Sequence, residues 1–266
     1  MRPPALALIH GLGCSRRAWD RIVPLLRERG LDATPVELPG YGEQSAVETP
    51  RTIGAMAAAV EPRIAALGRD VVVAGHSMGG LVATALAERH PAWLRGLIAI
   101  NSSLTVESRM TAHRGSEGLI CRPVVGRAAW AVAPRARLRS GLQSAFAPDF
   151  AVPDLFVDDL RACSWATFTR STAAIDTYLA ERALPERLAA LNIPVAIVLG
   201  TQDLRLDFGV VAEMQARHAL PVVEIAGSGH TPMWEAPEAT ADALAAFAKA
   251  PARPPLAEPG ASAYSP

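Results

Sequence analysis

The stretch Asp70-Val71-Val72-Val73-Ala74-Gly75-His76-Ser77-Met78-Gly79-Gly80 decides how the rest of the chain reads. Its first half is a valine-rich apolar run, the pattern of a strand buried on both faces. A helical spacing of apolar residues follows at once over 78–90, so the chain turns from strand to helix within a few residues, with Ser77 at the apex. A serine in so sharp a turn takes a strained backbone conformation. Gly75 and Gly79 permit it by letting neighbouring chain approach closely, and the hydroxyl then stands exposed at the strand's C-terminal edge. Gly-x-Ser-x-Gly alone arises by accident in about one chain in ten of this length. Its placement where a helix must start after a strand is the stronger signal, because there the Met78 amide also points at a developing oxyanion.

Working outward, apolar runs rich in Val, Ile and Leu recur at 5–9, 34–38, 94–100, 195–199 and 222–225 as well as at 70–74. Helix-length segments lie between them, at 16–28, 52–67, 78–90, 208–218 and 237–250, with apolar residues three and four apart. Strand then helix, repeated, implies an α/β fold with a mainly parallel sheet covered on both faces. The rhythm breaks between 103 and 183, where no strand recurs but half of the fourteen aromatic residues fall. The expected organisation is a core of 1–103 and 184–250 with a helical cap, 104–183, lying over the sheet. Aromatic rings in such a cap either form its own core or line a substrate pocket. Trp130, Trp165 and Phe168 are the pocket candidates. Pro251, Pro254, Pro255 and Pro259 among small residues mark 251–266 as a disordered tail.

Composition narrows the function classes. Of 266 residues, 50% are hydrophobic, and 26 basic residues balance 26 acidic ones. A general nucleic-acid or anionic-membrane binder needs a basic surplus that is missing. Cys14, Cys121 and Cys163 are far apart and form no Cys-x-x-Cys pair, so neither a disulfide framework nor a metal site is suggested, and a reducing cytoplasm fits best. The apolar run near the N-terminus is too short for a signal peptide and is cut by His10 and Gly11. No stretch approaches the roughly 18 apolar residues of a membrane span. No cofactor is implied.

A serine hydroxyl needs a base. His230 lies in Gly227-Ser228-Gly229-His230, a flexible loop straight after the last strand, which puts it on the same sheet edge as Ser77. His76 adjoins Ser77 in sequence, but the turn should direct the two side chains apart. An acid that orients the imidazole belongs on that edge too, between serine and histidine in chain order. Asp203, in Gly200-Thr201-Gln202-Asp203, is preferred to Asp207, whose alternative role is to cap the helix beginning near Phe208. His10-Gly11-Leu12-Gly13 after the first strand places the Leu12 amide as a second oxyanion donor, with His10 as loop scaffold.

These residues resemble the α/β-hydrolase superfamily, in its serine-nucleophile branch with a helical cap. His10-Gly11 with Trp19 downstream, Leu38-Pro39-Gly40-Tyr41-Gly42, Gly75 to Gly80, Gly200 to Asp203, and Gly229-His230 with Glu235-Ala236-Pro237-Glu238 match in order and spacing. The resemblance implies a sheet of about six strands, a triad of Ser77, Asp203 and His230, and an oxyanion hole at Leu12 and Met78. Glu37 stands where relatives carry aspartate, a structural change. The leading expectation is a serine hydrolase cleaving an ester or thioester of a small-to-medium acyl substrate. The alternatives are a non-hydrolytic lyase or acyltransferase of secondary metabolism, and a binding module that keeps the pocket alone. Arg122, Arg127, Arg135, Arg137 and Arg139, with no acidic residue intervening between 117 and 149, are either a solvated face or a patch guiding an anionic or carrier-bound substrate. Oligomeric state is not read from the sequence.

Overall fold

Six short apolar segments pair side by side in a computed structural model that describes residues 4–68, 70–110 and 117–250. The strands are β1 (Ala5–Ile9), β2 (Asp32–Val36), β3 (Val71–His76), β4 (Leu94–Ile100), β5 (Val195–Gly200) and β6 (Val222–Ile225). They form one parallel sheet in the order β2-β1-β3-β4-β5-β6. Every residue of β3 and β5 is buried, as continuous apolar strands in a two-sided sheet require. Alternate side chains serve opposite faces. Ile9, Val71, Val73, Leu97 and Ile197 join one core with α2 (Ile53–Ala65), α3 (Met78–Ala87) and α10 (Phe208–His218). Leu8, Val72, Ala74, Ile98 and Val198 join the other with α1 (Ile22–Glu28) and α11 (Pro237–Lys249).

Among the described residues between β4 and β5, the chain forms the helices α4 (Glu117–Ile120), α5 (Val125–Val132), α6 (Arg135–Leu142), α7 (Asp154–Ala162), α8 (Trp165–Glu181) and α9 (Leu184–Ala189) and no named strand. The insert begins and ends at one point, where the Leu184 amide donates to the Leu104 carbonyl at 2.8 Å. The expected tail, 251–266, lies outside the described residues. Among the described residues, no helix is long and apolar enough to cross a membrane.

Two boundaries differ from the sequence pattern for physical reasons. The segment read as one helix over 16–28 is a 3-10 turn at Arg16–Trp19, capped by Ser15, followed by α1. Pro24 falls in the first turn of α1, where its missing amide proton costs no helical hydrogen bond, while its ring excludes a helical carbonyl at Asp20, so the helix starts afresh after Asp20 instead of running on from Arg16. The strand expected at 34–38 runs instead over Asp32–Val36. Its proline, Pro35, is tolerated because β2 is an edge strand, and Pro39 with Gly40, at φ +91°, turns the chain immediately afterwards.

All five strand ends that matter to the site open on the same edge. Gly75 and Gly79 set how closely α3 approaches the sheet: a Cβ on Gly75 would overlap the Gly79 carbonyl, and one on Gly79 the carbonyls of Ile9 and His10. Gly79→Ala is therefore expected to destabilise the fold by about 3 kcal/mol or more, the upper end for overpacking, read as a lower urea midpoint. A midpoint within 0.5 kcal/mol of the parent, on the order of a surface change, would refute this tight contact.

Candidate active site

Ser77 is the residue between β3 and α3, with φ +53° and ψ −118°. That left-handed φ is costly for a residue with a Cβ. Its amide donates to the Ile100 carbonyl at 2.8 Å and its carbonyl accepts the Gly80 amide at 3.0 Å, so both sides of the turn are tied down. The hydroxyl faces the loop after β6, where Ser77 Oγ and His230 Nε2 are 3.0 Å apart. His230 Nδ1 lies 2.7 Å from Asp203 Oδ2. Ser77, His230 and Asp203, distant in sequence, thus form one hydrogen-bonded path with its inner two members buried. Asp207 is elsewhere: it caps α10, accepting the Gly209 amide at 2.8 Å.

Asp203 receives more than the imidazole. Asn101 Nδ2 donates to Oδ2 at 2.7 Å, and the Arg205 amide donates to Oδ1 at 2.7 Å. Burial alone would raise the carboxyl's pKa, but the charge of His230 and these hydrogen bonds outweigh it and hold the group below the usual carboxylate range. Asn101 was not anticipated from the sequence. Its signal is positional, a polar residue at the C-terminal end of β4 with a left-handed φ of +44°.

The His230 loop is held from two further sides. Glu235 accepts the amides of Gly229, Thr231 and Ala147 at 3.0, 3.1 and 2.7 Å, clamping loop to insert. His76 takes a part in holding this loop that the sequence did not suggest. Its Nε2–H donates to the His230 carbonyl at 2.8 Å, and the two rings meet edge to face with centroids 5.1 Å apart. The reason is that His76 is the last residue of β3, so its side chain is directed across the sheet end toward the β6 loop. Burial and the neighbouring His230 push its pKa down to about 3.

Opposite His230 lies the loop after β1. A Cβ on Gly11 would press on both His76 and the Ser77 Cβ, so this loop passes directly beside the serine. Leu12 and Met78 both line the cavity over Ser77, and among the described residues neither amide donates to a protein acceptor. His10 is fully buried and braces the loop, its Nδ1 donating to the Gly11 carbonyl at 2.9 Å and its Nε2 accepting the Leu38 amide at 3.1 Å. Glu37 accepts the Arg16 and Glu43 amides at 3.0 and 3.4 Å, a clamp between two loops.

The cavity has a volume of about 720 Å³. Trp130 and Phe168 line it with ring centroids 4.7 Å apart. Trp165 is not among its lining residues. It stands in the first turn of α8 and its indole donates to the Ile120 carbonyl at 2.8 Å, so it ties helices of the insert together. Phe156 lines the cavity in its place. The expected basic patch is also smaller than its sequence suggests. Arg135 pairs with Asp154 and Asp158, and Arg139 with Asp154, because α7 packs its acidic side chains against α6. Of the five arginines, only Arg137 lines the cavity. Among the described residues, no group of three His, Cys, Asp or Glu side chains could hold a metal ion.

A serine, an imidazole and a buried carboxylate at one edge of a six-stranded parallel sheet define a hydrolase-type fold and site. The chain belongs to the alpha/beta hydrolase family, whose model matches residues 6–243. It is 28% identical over 264 residues to a pimeloyl-[acyl-carrier protein] methyl ester esterase of Edwardsiella ictaluri, covering 91% of this chain and 92% of that protein. It is 29% identical to the biotin biosynthesis bifunctional protein BioHC of Cellvibrio japonicus over 93% of this chain, but spans only 48% of that protein. An esterase from Exiguobacterium antarcticum shares the fold, with a TM-score of 0.73, 18% identity and coverage of 93% and 92% of the two chains.

His76 makes the fold acid-sensitive in a defined window. In the unfolded chain it titrates near its ordinary value of about 6.5, whereas in the folded protein it refuses a proton until about pH 3. Above the first value both states are neutral and the group contributes nothing. Between the two only the unfolded chain gains the proton, so stability falls as pH is lowered. His76→Gln, which retains a donor for the His230 carbonyl, is expected to flatten the decline of the urea midpoint between pH 7 and 4.5. An unchanged decline would show that His76 is not its source.

Proposed function

We propose that the protein is a serine hydrolase that cleaves an ester or thioester of a small-to-medium acyl substrate through an acyl-enzyme. The observation that carries this reading is the continuous path from Ser77 Oγ through His230 to Asp203, at 3.0 and 2.7 Å. Ser77 Oγ attacks the substrate carbonyl while His230 Nε2 takes its proton. Asp203 keeps the imidazole oriented and stabilises the imidazolium. The oxyanion of the tetrahedral intermediate is received by the amides of Leu12 and Met78. On collapse the acyl–oxygen or acyl–sulfur bond breaks and His230 returns the proton to the leaving group. Water then enters, loses a proton to His230, and releases the acid and Ser77 by the same route reversed.

The helical insert, 104–183, acts as a cap whose wall limits water around the acyl-enzyme. Arg137, exposed at the cavity, supports an anionic or carrier-bound substrate entering there. The pimeloyl-[acyl-carrier protein] methyl ester esterase of Edwardsiella ictaluri, whose name gives a carrier-bound ester as its substrate, supports the same view. Cys14 and Cys163 remain thiols, which suits a cytoplasmic setting.

Ser77→Ala is expected to lower ester turnover by about 10⁶-fold and to abolish mass addition by a fluorophosphonate probe. Retention of most of the turnover would exclude the acyl-enzyme. Asp203→Asn is expected to lower kcat by about 10⁴-fold, whereas Asp207→Asn should leave kcat within a fewfold. Equal losses would overturn the choice of acid.

A further inference from the structure

The loop that carries the Leu12 amide is braced at its start by His10 and at its end by the helical insert. Within the loop the Cys14 amide donates to the Gly11 carbonyl, but at 3.3 Å, which is long for such a bond. Firmer ties come at residues 13–15. Ser15 donates twice to one carboxylate oxygen of Asp159, from its amide at 2.9 Å and from its hydroxyl at 2.6 Å. Leu160, the next residue of α7, packs against Gly13 so closely that a Cβ there would stand 2.9 Å from its Cδ1. Gly13 itself has φ +71°, so the loop bends in a conformation that a side chain would strain. Leu12, Cys14 and Leu160 all line the cavity over Ser77, which puts the junction of loop and insert on its wall.

Three carboxylates stand on α7, and Asp159 differs from the other two. Asp154 and Asp158 are exposed and pair with arginines of α6, whereas the Asp159 side chain is only 7% exposed and turned toward the loop. Burying a carboxylate is costly, and burial raises the pKa of this one against the pull of Ser15, Arg17 and His10. For merely seating the insert, an apolar residue would serve at less cost. A carboxylate oxygen supplies what an apolar contact lacks, charge-assisted hydrogen bonds with a fixed direction, and these set where a stretch of backbone sits. We infer that Asp159 is a positioning residue for the oxyanion hole, holding Ser15 so that the Leu12 amide, three residues earlier, stays where the oxyanion forms. This rests on the serine-hydrolase reading and adds to it a dependence of the reaction on how the insert is seated.

Substitution of Asp159 tests this with methyl hexanoate, whose poor leaving group keeps acylation slower than deacylation, so that KM reports binding. Asp159→Ala is expected to lower kcat about ten- to a hundredfold, the scale of a displaced oxyanion donor, with KM within about twofold of the parent. Asp159→Asn should recover most of the lost kcat, since both Ser15 donors fall on a single oxygen that an amide oxygen can replace. A second readout compares two inhibitors. Trifluoromethyl hexyl ketone bonds its carbonyl carbon to Ser77 Oγ and becomes a tetrahedral oxyanion while His230 takes the serine's proton, whereas methyl hexyl ketone binds without forming one. Asp159→Ala should weaken the first by about the factor lost in kcat/KM and leave the second unchanged. Equal weakening of both ketones, or a raised KM with kcat intact, would make Asp159 purely structural and overturn the inference, as would a parent-like kcat. Asp159→Leu, which fills the space without an acceptor, takes the place of the alanine variant if that one does not fold. Fluorophosphonate labelling of Ser77 in the parent reports the hydrolase reading separately: a labelled parent with parent-like Asp159 variants defeats the inference alone, and an unlabelled parent defeats both.

Discussion

The backbone of Ser77 is the constraint on which the sheet's C-terminal edge depends. Its left-handed φ costs on the order of 1–3 kcal/mol for a residue with a side chain, and the turn persists because its surroundings leave no room to relax. α3 is buried along all ten of its residues. Gly75, Gly79 and Gly80 each sit where a side chain would overlap the Gly79 carbonyl, the end of β1 or Ser102. Helix, sheet and turn are pressed into one arrangement, and in it the serine hydroxyl stands clear while the first helical amide is left without a protein acceptor.

What surrounds the serine is fixed with similar redundancy. Asp203 is buried with three donors on its two oxygens. A buried carboxylate with fewer partners would carry a desolvation penalty or take up a proton. His230 is oriented through its ring by Asp203 and through its backbone by His76, while Glu235 gathers the neighbouring amides and joins them to the insert at Ala147. Little reorganisation is then needed when charge moves along the path, which is the condition under which preorganised dipoles stabilise a transition state most.

The insert supplies the cavity and divides its aromatic residues between two tasks. Phe146, Phe150 and Phe156 pack among themselves and against Trp234, with Phe156 also reaching the cavity wall. Trp130 and Phe168 face the cavity from α5 and α8. Acidic residues of α7 neutralise arginines of α6 that look unopposed in sequence, leaving Arg137 as the one of the five that lines the cavity.

Local pattern was enough for much of this. Continuous valine and isoleucine runs, with helical spacing between them, specify buried strands and a doubly covered parallel sheet, because backbone periodicity is a short-range property that apolar residues report directly. Chain order on one edge also makes Ser77, Asp203 and His230 legible, since a parallel sheet sends every strand's C-terminus to the same side. Other features depend on contacts between residues 45 to 154 positions apart, or on the direction of one side chain. Asn101 reaches Asp203, His76 turns toward the His230 carbonyl, Trp165 is diverted to Ile120, and Arg205 is anchored on Ser144. No periodicity encodes these pairings. They are decided only when packing brings β4, β5, β6 and the insert together, because a hydrogen bond's partner is set by distance and angle in space and not by separation along the chain.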